Sequence, residues 1–442
     1  MRATFCLMVD ALLQKISDRS YVVGIVGLGY VGLPLALTAI EAGFRVVGLD
    51  IDGEKMKRLQ AGETYIEHIG AERVKSAVAT GRLAVSNDFA QAAVPDCLIL
   101  CVPTPLGRHL EPDISYITNT MASLLPHVRE GQLISLESTT YPGTTQETVV
   151  APLESQGFKV GTNVFVAYSP EREDPGNPDF ETRTIPKVVG GHCKPCLRLA
   201  SALYSQIVDR IHEVSTLEVA ETAKLLENIY RAVNIGLVNE MKVVTDRMGI
   251  DIWEVIRAAA TKPFGFTPFY PGPGLGGHCI PIDPFYLTWK AKEFGVHTRF
   301  IELAGQMNHE MPRYVVQKTM DGLNAQGKPI RGAKILVLGI AYKPDIDDAR
   351  ESPSCEIMEI LREYGAEIAY TDPHFPEFPR MREHRFELTS VPFTATDLAQ
   401  FDCAILATDH KAFDYDMLLA SCPLIIDARG RYKRGTPRVV HA

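Results

Sequence analysis

The residues best suited to chemistry stand together at 271–284, where glycines 272, 274, 276 and 277 lead into His278-Cys279-Ile280-Pro281-Ile282-Asp283. A run so poor in side chains does not pack a core. It lets backbone lie against a ligand and turn N–H groups towards it. A cysteine at the end of such a loop can act as a nucleophile when a nearby cation lowers its thiol pKa. Lys224, Asn228 and Arg231 lie on one predicted helix, and the first two are spaced to share a face. Two plainer accounts compete: Glu221, Lys224 and Glu227 would look the same on a solvated helix, and Cys279 could be a buried, inert thiol. Zinc is disfavoured, because adjacent His and Cys chelate poorly and no second pair has ligand spacing. No metal is expected. Cys193-Lys194-Pro195-Cys196 is a CxxC without a partner CxxC. It precedes a helical stretch rather than sitting in a thioredoxin-like unit, which reads against redox exchange.

A second chemistry is written at Gly27-Leu28-Gly29-Tyr30-Val31-Gly32, a GxGxxG that follows an apolar strand and opens a helix. The first two glycines allow a tight turn and close approach to a pyrophosphate; the third lets helix and strand pack, aiming free N–H groups at the anion. Asp50 ends the next predicted strand. A carboxylate there accepts hydrogen bonds from ribose hydroxyls and repels a 2′-phosphate, which favours NAD over NADP. A flavin site or a purely structural Rossmann unit is the competing account. Asp52 reads as surface charge.

These groups need a scaffold, and the alternation of short apolar runs with helical stretches supplies one. Strands are predicted over 22–27, 45–50, 97–103, 133–138 and 163–168, a parallel sheet of βαβ units. A single long helix is predicted over 216–248, where Leu225, Ile229, Val233, Leu237 and Met241 recur every fourth residue. More helix follows over 285–325. Four further parallel strands are predicted over 334–339, 367–372, 403–408 and 424–427, and the basic ending RYKRGTPRVVHA is expected to fray. The order is α/β, helical spacer, α/β.

The 442 residues carry 45 Lys+Arg against 54 Asp+Glu, a net charge of −9, without long blocks of one sign. That balance excludes the basic field that non-specific nucleic-acid binding requires. The uncharged run 22–40 is long enough to span a bilayer, but four glycines and Pro34 interrupt it, so a membrane segment is not expected. Nine cysteines, an odd number, and Asp10 within the first apolar stretch point to reduced thiols in a cytoplasmic protein.

Seven segments, in order, resemble the UDP-glucose/GDP-mannose dehydrogenase family of NAD-dependent nucleotide-sugar 6-dehydrogenases. They are GLGYVGLPLA from Gly27, CVPTPL (101–106), ESTTYPGTT (137–145), YSPEREDPGN (168–177), EVAETAKLLENIYRAVNIGLVNE (218–240), PGPGLGGHCIPIDP (271–284) and GIAYKPDIDDARESP (339–353). The resemblance covers nearly the whole chain after about residue 20. Residues 1–20 match no part of it. It implies an α/β fold of two Rossmann-like parallel-sheet domains joined by a central helical domain with one long helix. The boundaries expected are 1–212 for NAD, 213–325 for the catalytic loop and 326–442 for the UDP-sugar. Within the family, 169–177 and 271–291 are most similar to the UDP-N-acetylglucosamine 6-dehydrogenase branch, which supplies precursors of bacterial surface polysaccharides.

The resemblance implies a four-electron oxidation of the sugar C6 alcohol to a carboxylate, with two NAD used in succession. A thiolate traps the aldehyde as a thiohemiacetal, a second hydride leaves, and water releases the acid from a thioester. Cys279 matches the nucleophile, Lys224 the lysine that stabilises oxyanions or shuttles a proton, and Asn228 a second donor to the same oxygen. Asp283, Glu171 and Thr140 match residues that order water and move protons. For the cofactor it implies Gly27, Gly29, Tyr30, Val31, Gly32, Asp50, Lys55, the 102–105 turn with Pro103 and Thr104, Thr140 and Arg350. For the substrate it implies Glu171, Arg172, Lys224, Asn228, Tyr270, Gly274, Gly276, Gly277, Lys343 and Arg429. It also implies a homodimer or higher homo-oligomer built on the long helix. One departure bears on the sugar: many UDP-glucose dehydrogenases carry a lysine where this chain has Ile282, and an apolar residue suits the N-acetylhexosamine branch. UDP-N-acetylmannosamine and UDP-glucose remain alternative substrates. From other classes, a two-electron hydroxyacid dehydrogenase would not need Cys279, and a non-catalytic nucleotide-sugar sensor would not need Lys224, Asn228 and Asp283.

Overall fold

The computed structural model describes residues 2–442 apart from 67–68, 108, 173–179, 278–279 and 382–383, with the side chains of 2–6 also outside the description. The chain separates into two compact units, Met1–Glu227 with Trp289–Gly295, and Asn228–Thr288 with Val296–Ala442. No described helix is long and apolar enough to cross a membrane.

The first unit is built on β1 (Val22–Val26), β2 (Arg45–Leu49), β3 (Leu83–Ser86), β4 (Cys97–Leu100), β5 (Leu133–Leu136), β6 (Phe165–Tyr168), β7 (Lys187–Gly191) and β8 (Ile211–Val214). They form one sheet in the order β3-β2-β1-β4-β5-β6-β7-β8. Val22 lies opposite Arg45 and Val26 opposite Leu49, so the loops after β1 and β2 emerge at the same edge. The central strands are buried along their length, as strands covered on both faces must be. The helix Gly32–Glu41 is apolar nearly all round and almost wholly buried. The five predicted strands, β1, β2, β4, β5 and β6, pair parallel as expected. Beyond them β7, which the sequence did not announce, pairs antiparallel to β6. Three strands, β3, β7 and β8, escape the apolar pattern: β3 and β8 carry half-exposed residues, and β7 opens on a lysine and closes on two glycines. The N-terminal stretch forms a helix, Arg2–Asp18, whose Val9, Leu12 and Ile16 join the unit's core.

The second unit holds β9 (Lys334–Leu338), β10 (Glu367–Thr371), β11 (Cys403–Leu406), β12 (Ile425–Asp427) and β13 (Val439–His441), all parallel, in the order β10-β9-β11-β12-β13. The C-terminus does not fray. Ile425 donates its N–H to Arg438 (2.8 Å) and Ala442 to Asp427 (2.9 Å), which pins β13 as a fifth strand. The long helix runs Leu217–Arg247. Leu225 and Ile229 are buried as the spacing predicts, but Leu237 is 55% and Met241 39% exposed, so the later part of that stripe faces solvent. The expected helical stretch after the glycine loop is two helices, Asp283–Glu293 and Arg299–Ala325. Gly295, in left-handed backbone (φ 70°), breaks them apart.

Candidate active site

The glycine turn of the first unit is built from three different demands. Gly27 sits at φ 91°, and a Cβ there would lie 2.6 Å from the Cys101 carbonyl oxygen. A Cβ on Gly32 would lie 1.9 Å from the Gly27 carbonyl oxygen, so only glycine lets the helix start this close. At Gly29 the space is open, and this is the face left for a ligand. Tyr30 and Val31 are part-exposed beside it. Asp50 is 7% exposed; it accepts the Leu28 N–H on Oδ2 (2.8 Å) and the Asp52 N–H on Oδ1 (3.0 Å), with Lys55 Nζ 3.5 Å away. A carboxylate has about four acceptor positions, so capacity remains for ribose hydroxyls. Asp52 caps the helix Gly53–Gln60 by accepting the N–H groups of Glu54 and Lys55, a more specific task than surface charge. In the 102–105 turn Pro103 is exposed and Thr104 buried. Ser138 clamps that turn, donating to the Val102 carbonyl (2.7 Å) and accepting its N–H (3.1 Å).

After β5 the backbone enters ESTTYPGTT. Thr140 is fully buried and its hydroxyl has no hydrogen-bond partner among the described residues. Such a group calls for a ligand or a water. Glu221 of the long helix is also buried and accepts from Gly143 N–H (2.6 Å), Thr145 N–H (2.9 Å) and Thr145 Oγ1 (2.6 Å). Burial pushes its carboxyl up, against those donors. One turn on, Lys224 is 6% exposed and makes no hydrogen bond or ion pair among the described residues. The solvated-stripe account is therefore excluded for both. The Lys224 stem is enclosed while its ammonium is left without a protein partner among the described residues, which leaves that group free to answer a ligand.

Glu171 accepts the Arg172 N–H (2.6 Å), and its other oxygen lies 3.7 Å from Lys187 Nζ. Lys187 donates to buried Glu137 (2.9 Å), which also accepts from Tyr204 (2.6 Å). Burial alone would lower the Lys187 ammonium, but the charges of Glu137 and Glu171 hold it above its ordinary value. Sequence reasoning passed over Glu137 and Lys187; their only local signal is a charge at each of two apolar strands. Arg172 is engaged within the protein, gripping Glu227 through Nη2 (2.7 Å) and Nε (3.2 Å) and donating to the Pro186 carbonyl (2.7 Å).

In the second unit Asn228 and Asp283 are both buried, and Asn228 Nδ2 donates to Asp283 Oδ2. Asp283 is the first residue of its helix, where a carboxylate complements the helix dipole. Cys279 and His278 lie outside the described residues, but the loop leading to them is fixed. Gly277 donates its N–H to the Arg350 carbonyl (3.0 Å). Cβ atoms at Gly276 and Gly277 would lie 2.5 Å and 3.0 Å from Tyr342, and one at Gly274 2.9 Å from Pro353. These glycines thus admit the protein's own 342–353 segment, a role the sequence did not separate from ligand contact. Tyr270 is half-exposed. Arg350 is held by Asp348 in a bidentate pair (2.6 and 2.9 Å). Lys343 is part-buried beside Tyr342. Arg429 donates through Nε to the Ala407 carbonyl (2.6 Å), while its Nη groups have no acceptor among the described residues.

Family models of the UDP-glucose/GDP-mannose dehydrogenase family match three stretches: its NAD binding domain at 21–208, its central domain at 218–310 and its UDP binding domain at 336–434. A UDP-N-acetyl-D-glucosamine 6-dehydrogenase of Pseudomonas aeruginosa is 34% identical over 395 residues, 88% of this chain and 91% of that protein. A UDP-N-acetyl-D-mannosamine dehydrogenase of Methanococcus maripaludis is 33% identical, over 88% of this chain and 86% of its own. Among solved structures, that of a UDP-D-ManNAc dehydrogenase from Pyrococcus horikoshii superposes with a TM-score of 0.86 at 31% identity, covering 95% of this chain and 98% of that one. This chain belongs to the UDP-glucose/GDP-mannose dehydrogenase family and is an NAD-dependent UDP-sugar dehydrogenase.

Proposed function

We propose that the chain oxidises the C6 alcohol of UDP-N-acetylglucosamine to the carboxylate, in the cytoplasm, through a covalent intermediate on Cys279. NAD, when bound, supplies the hydride acceptor for each of the two oxidations. Gly29, Asp50, Lys55 and the Thr104 turn would hold it, with Arg350 contributing from the second unit's sequence. As the C6 hydroxyl passes its proton to an ordered water, the Lys224 ammonium stabilises the oxygen and the oxyanions that follow, and Asn228, kept in place by Asp283, donates to the same oxygen. Cys279 sulfur adds to the aldehyde carbon and prevents its escape; loss of the second hydride leaves a thioester. Glu171, steered by Lys187, activates the water that releases the acid, and Thr140 positions it. Lys343, Arg429 and Tyr270 would bind the UDP part. In this scheme 1–212 carries the cofactor, 213–325 the thiol chemistry and 326–442 the UDP.

The observation that carries this reading is Lys224, enclosed along its stem and with its ammonium unpartnered among the described residues, one turn before Asn228 on the same helix. Ile282, buried where a glucose-specific relative would have lysine, favours an N-acetylated sugar. Purified protein given UDP-N-acetylglucosamine and NAD should form about two NADH per sugar, and one NADH with free aldehyde would contradict the covalent route. UDP-N-acetylmannosamine and UDP-glucose, compared by kcat/KM in the same assay, decide the sugar. Leu226, Tyr230, Leu237, Met241, Val244 and Met248 expose one apolar face of the long helix, which suits a homodimer. Leu237→Glu should then halve the mass seen by light scattering.

A further inference from the structure

The mechanism makes no use of the CxxC pair, yet its geometry is specific. Cys193 Sγ lies 3.3 Å from Cys196 Sγ. Cys193 is the N-cap of the helix Lys194–Ile207, with Pro195 in the first turn. It is part-exposed, while Cys196 is buried and its sulfur accepts the Val166 N–H (3.3 Å). Opposite the pair, a Cβ on Gly161 would lie 2.4 Å from Cys193 Sγ, so the thiol fills space that only glycine leaves. We propose that Cys193 and Cys196 form a redox-active dithiol that exchanges with low-molecular-weight disulfides and closes to an intramolecular disulfide.

The two sulfurs are unlike in a way that assigns their roles. The hydrogen bond from Cys196 holds the Cys193 thiol below its ordinary value, and the helix N-terminus adds in the same direction. Cys196 is pushed up by that same bond and by burial. Burial raises the thiols of Cys97, Cys101, Cys355, Cys403 and Cys422, so among the described cysteines Cys193 alone is set up to attack. Its thiolate attacks one sulfur of the small disulfide; that S–S bond breaks, one thiolate leaves and a mixed disulfide forms. Cys196 then gives its proton to solvent and attacks the Cys193 sulfur, releasing the second thiolate. One disulfide is reduced to two thiols, and the protein dithiol is oxidised by the same two electrons. A disulfide spans about 2.05 Å, so the sulfurs approach by only about 1.2 Å.

The test is to equilibrate the full-length protein with reduced and oxidised glutathione at varied ratios, quench in acid, alkylate the remaining thiols and map peptides by mass. The expected result is a peptide that loses both Cys193 and Cys196 thiols together, with no lasting glutathione adduct. Cys196→Ser should instead keep glutathione on Cys193, and Cys193→Ser should leave Cys196 free. Iodoacetamide should label Cys193 at least tenfold faster than Cys97 or Cys403, down to pH values below the ordinary thiol range. The proposal is overturned if wild-type Cys193 and Cys196 both remain alkylatable in excess oxidised glutathione, or if wild type retains a glutathione adduct without closing. Peptide mapping keeps the reaction of Cys279 separate from either outcome.

Discussion

The two sheets solve the same opening move and then part. Gly27 donates its N–H to the Leu49 carbonyl (2.7 Å) at the end of β2, and Gly339 donates to Thr371 (2.9 Å) at the end of β10. Each neighbouring strand is followed by an aspartate that ties down the loop. Asp50 takes the N–H groups of Leu28 and Asp52; Asp372 takes those of Ile340, Ala341 and His374. There the likeness ends. Asp372 Oδ2 also meets His410 Nε2 (3.2 Å), and because His410 Nδ1 accepts the Asp345 N–H (3.0 Å), Nε2 is the nitrogen that carries the proton. Asp345, His374 and His410 have donor atoms within 4.8 Å of one another, but both His410 nitrogens are already committed. In the first unit the loop runs straight into a helix at Gly32. In the second the corresponding helix waits until Pro353, capped by Ser352. The first scaffold leaves acceptor capacity on its carboxylate and starts a helix at its glycine turn, whereas the second spends its carboxylate on its own loop and on His410. Under the proposed function the second would therefore take its nucleotide by side chains such as Lys343 and Arg429.

The largest separation between the two units is expected from filling their two tight turns. Gly32→Ala drives a methyl into the Gly27 carbonyl and should raise the NAD Kd by at least about a hundredfold, near 2.7 kcal/mol, with UDP binding changed less than about twofold. In Gly339→Ala the new Cβ would lie 2.5 Å from that of Thr408, and the losses should be reversed. Calorimetric titration of each variant with each ligand checks both. Equal damage to both ligands in either variant would show that the halves do not divide the work.

Why the first half is more legible follows from the same contrast. The glycine turn and Asp50 are local: an apolar strand, a glycine spacing and a carboxylate at the next strand's end could be read without knowing what packs where. The central strands were legible because covered strands are continuous apolar runs. β3, β8 and β13 were not, because an edge strand faces water on one side and takes its pairing from a neighbour far along the chain. The failed stripe at Leu237 and Met241 has the same origin. Helical spacing marks an apolar face, but cannot say whether this chain or a second copy covers it. In the site, Lys224 and Asn228 could be placed on one face, whereas their burial could not. Lys187, Glu137 and Tyr204 come from three distant elements, and their meeting is a property of the sheet order.

The aspartates should separate next, in stability and then in binding. Burial works to raise the Asp372 carboxyl, but the His410 hydrogen bond and its backbone donors outweigh it, so it is held low. A depressed carboxyl stabilises the fold above its unfolded value, and that contribution disappears as pH falls through the folded value. Asp372→Asn should therefore cost about 2 kcal/mol at neutral pH and flatten the acid limb of the Tm–pH curve, with the NAD Kd unchanged. Asp50→Asn should raise the NAD Kd about tenfold, about 1.4 kcal/mol, and narrow the preference over NADP. Its cost in stability should stay below about 1 kcal/mol. A variant of Asp372 that weakened NAD as much as Asp50→Asn would erase the distinction.

The smallest effect tests whether the first loop has been given an extra anchor. Tyr65 donates its hydroxyl to the Leu28 carbonyl, and burial pushes its phenol above the ordinary range, so it stays protonated at any working pH. The bond comes from outside the glycine motif and fixes the residue whose N–H already binds Asp50. Tyr65→Phe keeps the ring, over which Lys55 and Arg58 lie at 5.7 and 5.9 Å, and removes only the donor. The loss should be about 1 kcal/mol, read as a rise of up to about fivefold in the NAD Kd with kcat unchanged. If affinity holds while Tm falls by the same free energy, Tyr65 serves the fold alone, and the open face at Gly29 is set by Asp50 and the glycines without help.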